Sequence, residues 1–295
     1  MHDAAYYIQL LLSGVTVGSL YALIAIGYTM VYGILRLINF AHGDIFMMAG
    51  FFMVYISASC SLAVSIPLVL LLTVILGVVI ERAAYKPLRT APRMSVMISA
   101  IGVSYLLQNL ANYITGGIAR AYPDIPLLTQ VMSVGGLNIK RITIVTPILT
   151  IALVVVLVIL IQKTKIGMAM RAVSRDFETS QLMGIKINSV ISMTFVIGSF
   201  LAGVASILYF ANYGQVSPMI GAMPGLKAFV AAVFGGIGSI PGAVIGAFII
   251  GICESFIKAN ETIAVFSNAF TFALLIVILL CKPNGLFGEK LTEKV

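Results

Sequence analysis

Charged and histidine residues are clustered along this chain. Between the clusters lie seven long stretches with no Asp, Glu, Lys, Arg or His: 4–35, 45–80, 94–119, 142–162, 187–226, 228–253 and 262–281. Each is long enough to cross a hydrocarbon core of about 30 Å, which takes roughly 20 residues of helix. Eight apolar segments stand out within them, at 6–33, 37–57, 62–80, 94–115, 143–162, 188–212, 225–257 and 263–281. These runs are continuously apolar and do not alternate with period two. They therefore predict helices and not the strands of a membrane barrel, since only these two structures satisfy the backbone in lipid. The expected fold is an all-α integral membrane protein: a polytopic helical bundle of about eight hydrophobic segments in a single transmembrane domain over 1–295.

Two of the segments carry signals of interruption. Within 225–257 the run Gly235-Gly236-Ile237-Gly238-Ser239-Ile240-Pro241-Gly242 opposes a continuous helix, because glycine is costly there and proline removes a donor. Two helical pieces are expected, with a break near 235–241 at membrane depth. The second interruption is Ile38-Asn39-Phe40-Ala41-His42-Gly43-Asp44. Paired interruptions in the two halves of a chain are a mark of inverted repeats around a central route. The two segments share little direct identity, so a repeat is an open expectation.

Composition and charge sharpen this picture. The hydrophobic fraction is 60% and the charged fraction 9%, which leaves no polar stretch long enough for a separate soluble domain. The net charge of +8 is a topology signal before it is a nucleic-acid signal. Arg82, Lys86, Arg89 and Arg93 cluster in one short loop, and Lys163, Lys165, Arg171, Arg175 and Lys186 in another. Basic residues in short loops beside spans mark the cytoplasmic side. The loop 116–142 then lies outside, with Pro123, Pro126 and Gly135-Gly136 as turn signals, although Arg120, Lys140 and Arg141 make the bias imperfect. Lys282, Lys290 and Lys294 argue for a tail on the inside. That agrees with a 225–257 segment that enters and returns on one side. The first apolar run is too long for the core of a cleavable signal peptide, and no Lys or Arg precedes it. Cys60, Cys253 and Cys281 are widely separated and read as apolar residues, with no disulfide framework.

Signatures of catalysis are missing. The sequence holds no phosphate-binding Gly-x-x-x-x-Gly-Lys-Ser/Thr loop, no Gly-x-Ser-x-Gly elbow and no His-Glu-x-x-His helix, and its two histidines cannot build a metal cluster. No nucleotide or metal is expected to bind this chain itself. Ionisable residues near spans are costly and each has two readings. His42 and Asp44 form either a gate or proton relay, or an interfacial helix end where a negative charge is favoured. Glu254 and Lys258 read as an i,i+4 pair at a helix end, and Lys227 as a side chain reaching to the interface. Gln108, Asn109 and Asn112 fall on one span, the latter two on one face. They line a route or bond a neighbouring helix. Gly14 and Gly18, and Gly242 and Gly246 with Ala243, Ala247 and Gly251, form small-residue stripes for close helix packing.

The segment 163–189 is longer than a usual helix connection. Met168, Ala172, Leu182 and Ile185 alternate with charges in an amphipathic manner, which suits either docking into a groove of a cytoplasmic partner or lying on the membrane surface.

At Glu178-Thr179-Ser180-Gln181-Leu182-Met183-Gly184 the chain resembles the Glu-Ala-Ala-x-x-x-Gly loop of ATP-binding cassette (ABC) importer permeases, with small residues in place of both alanines. Four longer segments resemble LivH-type permeases for branched-chain amino acids. They are GVTVGSLYALIAIGYTMVYGILRLINFAHGDIFMMAG (14–50), SAIGVSYLLQN (99–109), TFVIG (194–198) and KAFVAAVFGGIGSIPGAVIGAFIIG (227–251). The resemblance covers nearly the whole chain and is weakest over 116–142. It implies a permease subunit in a bacterial or archaeal plasma membrane, importing leucine, isoleucine and valine. The implied partners are an extracytoplasmic binding protein, a second related permease chain and two ATP-binding subunits that carry ATP and Mg. By the same resemblance, Glu178, Thr179, Ser180 and Gly184 lie on a coupling helix with Arg171, Arg175 and Asp176 beside it. Asn39, His42, Asp44 and the stretch Gly235, Gly236, Gly238 and Pro241 face the route. Related permeases carry urea or short amides. A proton-coupled secondary carrier using His42 and Asp44, and a passive channel through the glycine-rich break, are the competing classes. Neither needs the 163–189 segment.

Overall fold

The computed structural model describes residues 4–89, 91–134, 137–282 and 284–288. Their apolar runs form long helices, as expected: α1 (Ala4–Leu35), α3 (Leu62–Ile80), α4 (Arg93–Thr115), α6 (Arg141–Lys163), α9 (Ile187–Tyr213), α11 (Ile240–Lys258) and α12 (Ser267–Cys281). Among the described residues, seven helices, with α3 and α12 each extended by adjoining turns, are long and apolar enough to cross a membrane. Two further apolar helices, α2 (His42–Ser57) and α10 (Ala222–Gly235), are too short to do so. The rest are short: α5 (Pro126–Thr129), α7 (Lys165–Arg175) and α8 (Phe177–Leu182). Four small strands complete the elements of the described residues. β1 (Arg120–Ala121) pairs antiparallel with β4 (Gln215–Val216), and β2 (Val131–Val134) with β3 (Leu137–Lys140). The predicted Gly135-Gly136 turn lies outside the described residues.

The two basic loops lie at one end of the bundle. Arg89 donates to Asn188 at the start of α9, so the turn after α3 and the segment before α9 are neighbours. The charge bias makes this the inner end. α1 finishes at the same end, because Asn39 just beyond it bonds Tyr85 just beyond α3. The tail returns there too: Leu286 and Phe287 donate to the carbonyls of Phe234 and Gly235. Lys290 and Lys294 lie outside the described residues.

α1 and α9 are the most buried long helices and cross at the centre, while α4, α6 and α12 face outward over most of their length. The stripes of small residues explain how α1 and α11 pack. A β-carbon on Gly18 would lie 2.8 Å from the Cα of Phe248, and one on Gly14 the same distance from the Cα of Ile252. Packing of this kind replaces the hydrophobic drive that lipid does not supply.

The contacts repeat with opposite sense. α1 packs on α10 and α11, whereas α9 packs on α2 and α3; α2 touches α4, and α10 touches α12. Each half thus has a long helix, a re-entrant stretch, a short helix starting at the bundle centre, and two more helices. This is the arrangement of an inverted repeat. One expectation is corrected. The glycine-rich break exists as the turn 236–239, but it joins α10 to α11 at the inner end and not at membrane depth. Gly236 and Gly238 have φ of 108° and 99°, which glycine alone adopts cheaply. The re-entrant stretch of this half is instead 214–221, which leaves the outer end at the β1–β4 pairing. It sits within an uncharged run, so polarity did not mark it.

Candidate functional site

The two short helices meet N-terminus to N-terminus. A β-carbon on Gly221 would lie 2.2 Å from the Gly43 carbonyl oxygen, and one on Gly225 2.9 Å from the Gly43 Cα. Glycine on both sides is what lets the backbones touch.

Side chains in the first turns pin each short helix to the bundle. On the α2 side, Asn39 Oδ1 accepts the Tyr85 hydroxyl at 2.8 Å. Tyr85 ends a π-helical turn, Glu81–Tyr85, that follows α3. His42 packs edge-on against Tyr28, with ring centroids 5.0 Å apart. Asp44 lies in the first turn of α2, where a carboxylate is favoured. It is buried inside the bundle and not at an interfacial helix end. Its Oδ2 accepts the Ser104 hydroxyl at 2.5 Å and its Oδ1 the Gln108 amide at 3.0 Å. Asn39 Nδ2 and His42 Nε2 are buried without a hydrogen-bond partner among the described residues.

On the α10 side, Lys227 does not reach an interface. It is buried, and its Nζ lies 2.6 Å from Glu254 Oε1. The expected Glu254–Lys258 pair is present at 2.6 Å, and the Tyr21 hydroxyl donates to Glu254 Oε2 at 2.9 Å. Lys227 sits on a helix that begins at the bundle centre, where Glu254 of α11 meets it inside the protein. The spacing Lys227 to Glu254 carried no signal, because no helical register joins them across the turn.

Gln108 is the one member of its trio at this site. Asn109 donates to the Tyr105 carbonyl at 2.8 Å, and both Asn109 and Asn112 lie on the exposed face of α4, away from Asp44. Gly235 and Gly236 are buried in the turn packing, whereas Gly238 and Pro241 are exposed at the inner end, with Pro241 in the first turn of α11. A tight seam, too narrow to admit water, lies between the two halves, lined by Tyr28, Tyr32, Ile38, Phe229, Ala232 and Ile237. It brings the 36–41 and 236–239 interruptions to a shared space.

At the inner end, Asp176 starts α8 by accepting the Thr179 amide at 3.1 Å and its hydroxyl at 2.8 Å. Gly184 follows α8 with φ of 81°. Ser180 is buried, while Arg171, Arg175 and Glu178 are exposed. Arg171 donates to the Gln162 carbonyl. The amphipathic reading of 163–189 is modified. The packed residues of α7 are Gly167, Met170 and Val173, and Met168, Phe177, Leu182 and Met183 are exposed. A cluster unseen in sequence lies beside α8. Arg89 donates to Glu81 and to Asn188, and Ser192 donates to Glu81 Oε2 at 2.8 Å. Glu81 and Arg89 belong to a predicted basic loop, and nothing in their spacing announced a buried carboxylate.

Residues 10–279 match the family model described as branched-chain amino acid transport system / permease component. The chain is 40% identical to the high-affinity branched-chain amino acid transport system permease protein BraD of Pseudomonas aeruginosa, over 100% of both chains. It is 41% identical to the LivH protein of the same description from Escherichia coli K12, over 98% of each. A more distant relative is the ribose import permease protein RbsC of Haemophilus influenzae, 26% identical over 92% of this chain and 84% of that one. With the helical bundle and its two central half-helices, these matches place the chain in the family of branched-chain amino acid transport system permease components.

Proposed function

We propose that this chain is the membrane-spanning permease subunit of an ABC importer in a bacterial or archaeal plasma membrane. It carries leucine, isoleucine and valine handed over by an extracytoplasmic binding protein. A second related permease chain completes the pathway, and two ATP-binding subunits supply ATP and Mg. The chain itself has no catalytic role.

The observation that carries this reading is the inner-end projection of α7 and α8. Leu182 and Met183 are 88% and 78% exposed beside a capped, short helix. Apolar side chains in that position suit a groove on a soluble partner. A movement of α8 reaches the core through bonded steps: α8 leads into α9, Asn188 and Ser192 hold Arg89 and Glu81, and Tyr85 on the same turn holds Asn39. Rigid shifts of packed helices then open the two half-helices alternately to either side. The apolar route suits an aliphatic side chain.

Reconstitution of the chain in proteoliposomes, with and without ATP-binding subunits and binding protein, tests this. ATP-dependent leucine uptake only in the complete set is the expected result. Uptake by the chain alone under a pH gradient would establish the secondary carrier. Uptake with no energy source would establish the channel.

A further inference from the structure

Three carboxylates are buried in the described bundle: Asp44, Glu81 and Glu254. Two of them hold cations. Glu81 pairs with Arg89, and Glu254 with Lys227 and Lys258. Asp44 is different. Its oxygens accept from a hydroxyl and a side-chain amide, both neutral, and no cation pairs with it among the described residues. A carboxylate taken out of water without a cation carries an uncompensated desolvation cost. Two neutral bonds and the α2 terminus offset part of it. The remainder is a standing preference for a positive group. Ser104 and Gln108 are only half-buried, so the cover over the carboxylate is partial.

Further along both helices, toward the outer end, is a small apolar cleft of about 150 Å³ between α2 and α4, lined by Met48, Phe51, Phe52, Tyr55, Ala111 and Ile114 with Thr115. Met48 is four residues beyond Asp44, and Ala111 three beyond Gln108. The cleft therefore begins about one helical turn, roughly 5.4 Å, outward of the carboxylate along both helices. The reach from an α-ammonium to the branch methyls of an aliphatic amino acid is of the same order. A polar anchor beside an apolar pocket is the pattern of a small-molecule site.

We propose that Asp44 receives the α-ammonium of the transported amino acid while the α2–α4 cleft takes its aliphatic side chain. This assignment rests on the importer reading above and adds to it the residues that touch substrate. The incoming ammonium displaces or joins the Ser104 and Gln108 donors and becomes the cation that Asp44 lacks. Phe51, Phe52 and Ile114 then set the size of the accepted side chain.

The test uses the complete reconstituted importer with binding protein and radiolabelled leucine and valine. Assembly of each variant is checked by size-exclusion chromatography. Asp44→Asn keeps the shape and removes the charge; leucine uptake is expected to fall by about tenfold to a hundredfold, the scale of a lost bond to a charged group. Asp44→Glu should recover part of it. Phe52→Ala should change the leucine-to-valine uptake ratio severalfold, a readout that a merely structural Asp44 would not move. Should Asp44→Asn fail to assemble, the Phe52→Ala ratio decides alone. Leucine uptake by Asp44→Asn at the wild-type rate, or an unchanged ratio in Phe52→Ala, overturns the assignment and leaves the importer reading standing. Absence of ATP-driven uptake by the wild-type complex overturns both.

Discussion

Lys227 Nζ lies 2.6 Å from Glu254 Oε1, and the pair ties the short helix α10 to α11 inside the bundle. Both side chains are almost fully buried, at 5% and 1% exposure. Breaking a buried pair leaves one charge uncompensated, which costs more than the pair contributes. Glu254→Gln should therefore strand Lys227 and destabilise the folded chain by about 3–5 kcal/mol, whereas Lys227→Met should cost less because Lys258 still pairs with Glu254. The double change Lys227→Met with Glu254→Gln should recover much of the Glu254→Gln loss. Thermal unfolding in detergent of the two single variants and the double variant checks it. Equal losses in all three would show that the pair is not coupled.

Tyr85 and Asn39 form the last bond between the inner-end cluster and α2, at 2.8 Å. Tyr85→Phe keeps the ring and removes that hydroxyl. A loss of about 0.5–1.5 kcal/mol in stability is expected. In the reconstituted importer, leucine moved per ATP hydrolysed should drop further than stability alone explains. Measurement of both rates in one preparation decides it, and an unchanged ratio would remove the bond from the coupling path.

Arg89 presents a fork, one arm on Glu81 and the other on Asn188. Lysine keeps the charge and loses the fork. Arg89→Lys should lower transport more than it lowers chain stability, while Arg89→Ala should also leave Glu81 buried and unpaired. Comparison of uptake rate with unfolding temperature separates the two effects.

Leu182 and Met183 are exposed at the inner end, so a charge there costs the isolated chain little. Leu182→Glu should change stability by no more than about 0.5 kcal/mol. It should also abolish co-purification with the ATP-binding subunits. Recovery of the ATPase at wild-type yield would move the docking surface elsewhere.

Gly18 faces the α11 backbone, where a β-carbon would lie 2.8 Å from the Cα of Phe248. Gly18→Leu should prevent α1 and α11 from closing. The chain should then fail to accumulate in membranes, in contrast to Gly102→Leu, where a β-carbon would meet nothing within 4 Å. Quantitative blotting of membrane fractions compares the two.

By itself, the sequence determined the membrane class, the positions of the long helices, the break between Gly235 and Ile240, and the basic end. These follow from local quantities: apolar length, charge density and the backbone freedom of glycine. It also marked Gly14, Gly18 and Gly251, because a four-residue spacing puts small residues on one face of one helix. Tertiary structure alone decided which polar groups meet. Lys227 finds Glu254, Tyr85 finds Asn39, and Asp44 finds Gln108 but not Asn109 or Asn112, since these partners lie on different helices whose relative rotation no local pattern records. The depth of the glycine-rich turn was likewise undetermined, because apolar residues surround it on both sides and hydropathy cannot tell the middle of a bilayer from the edge of a packed bundle.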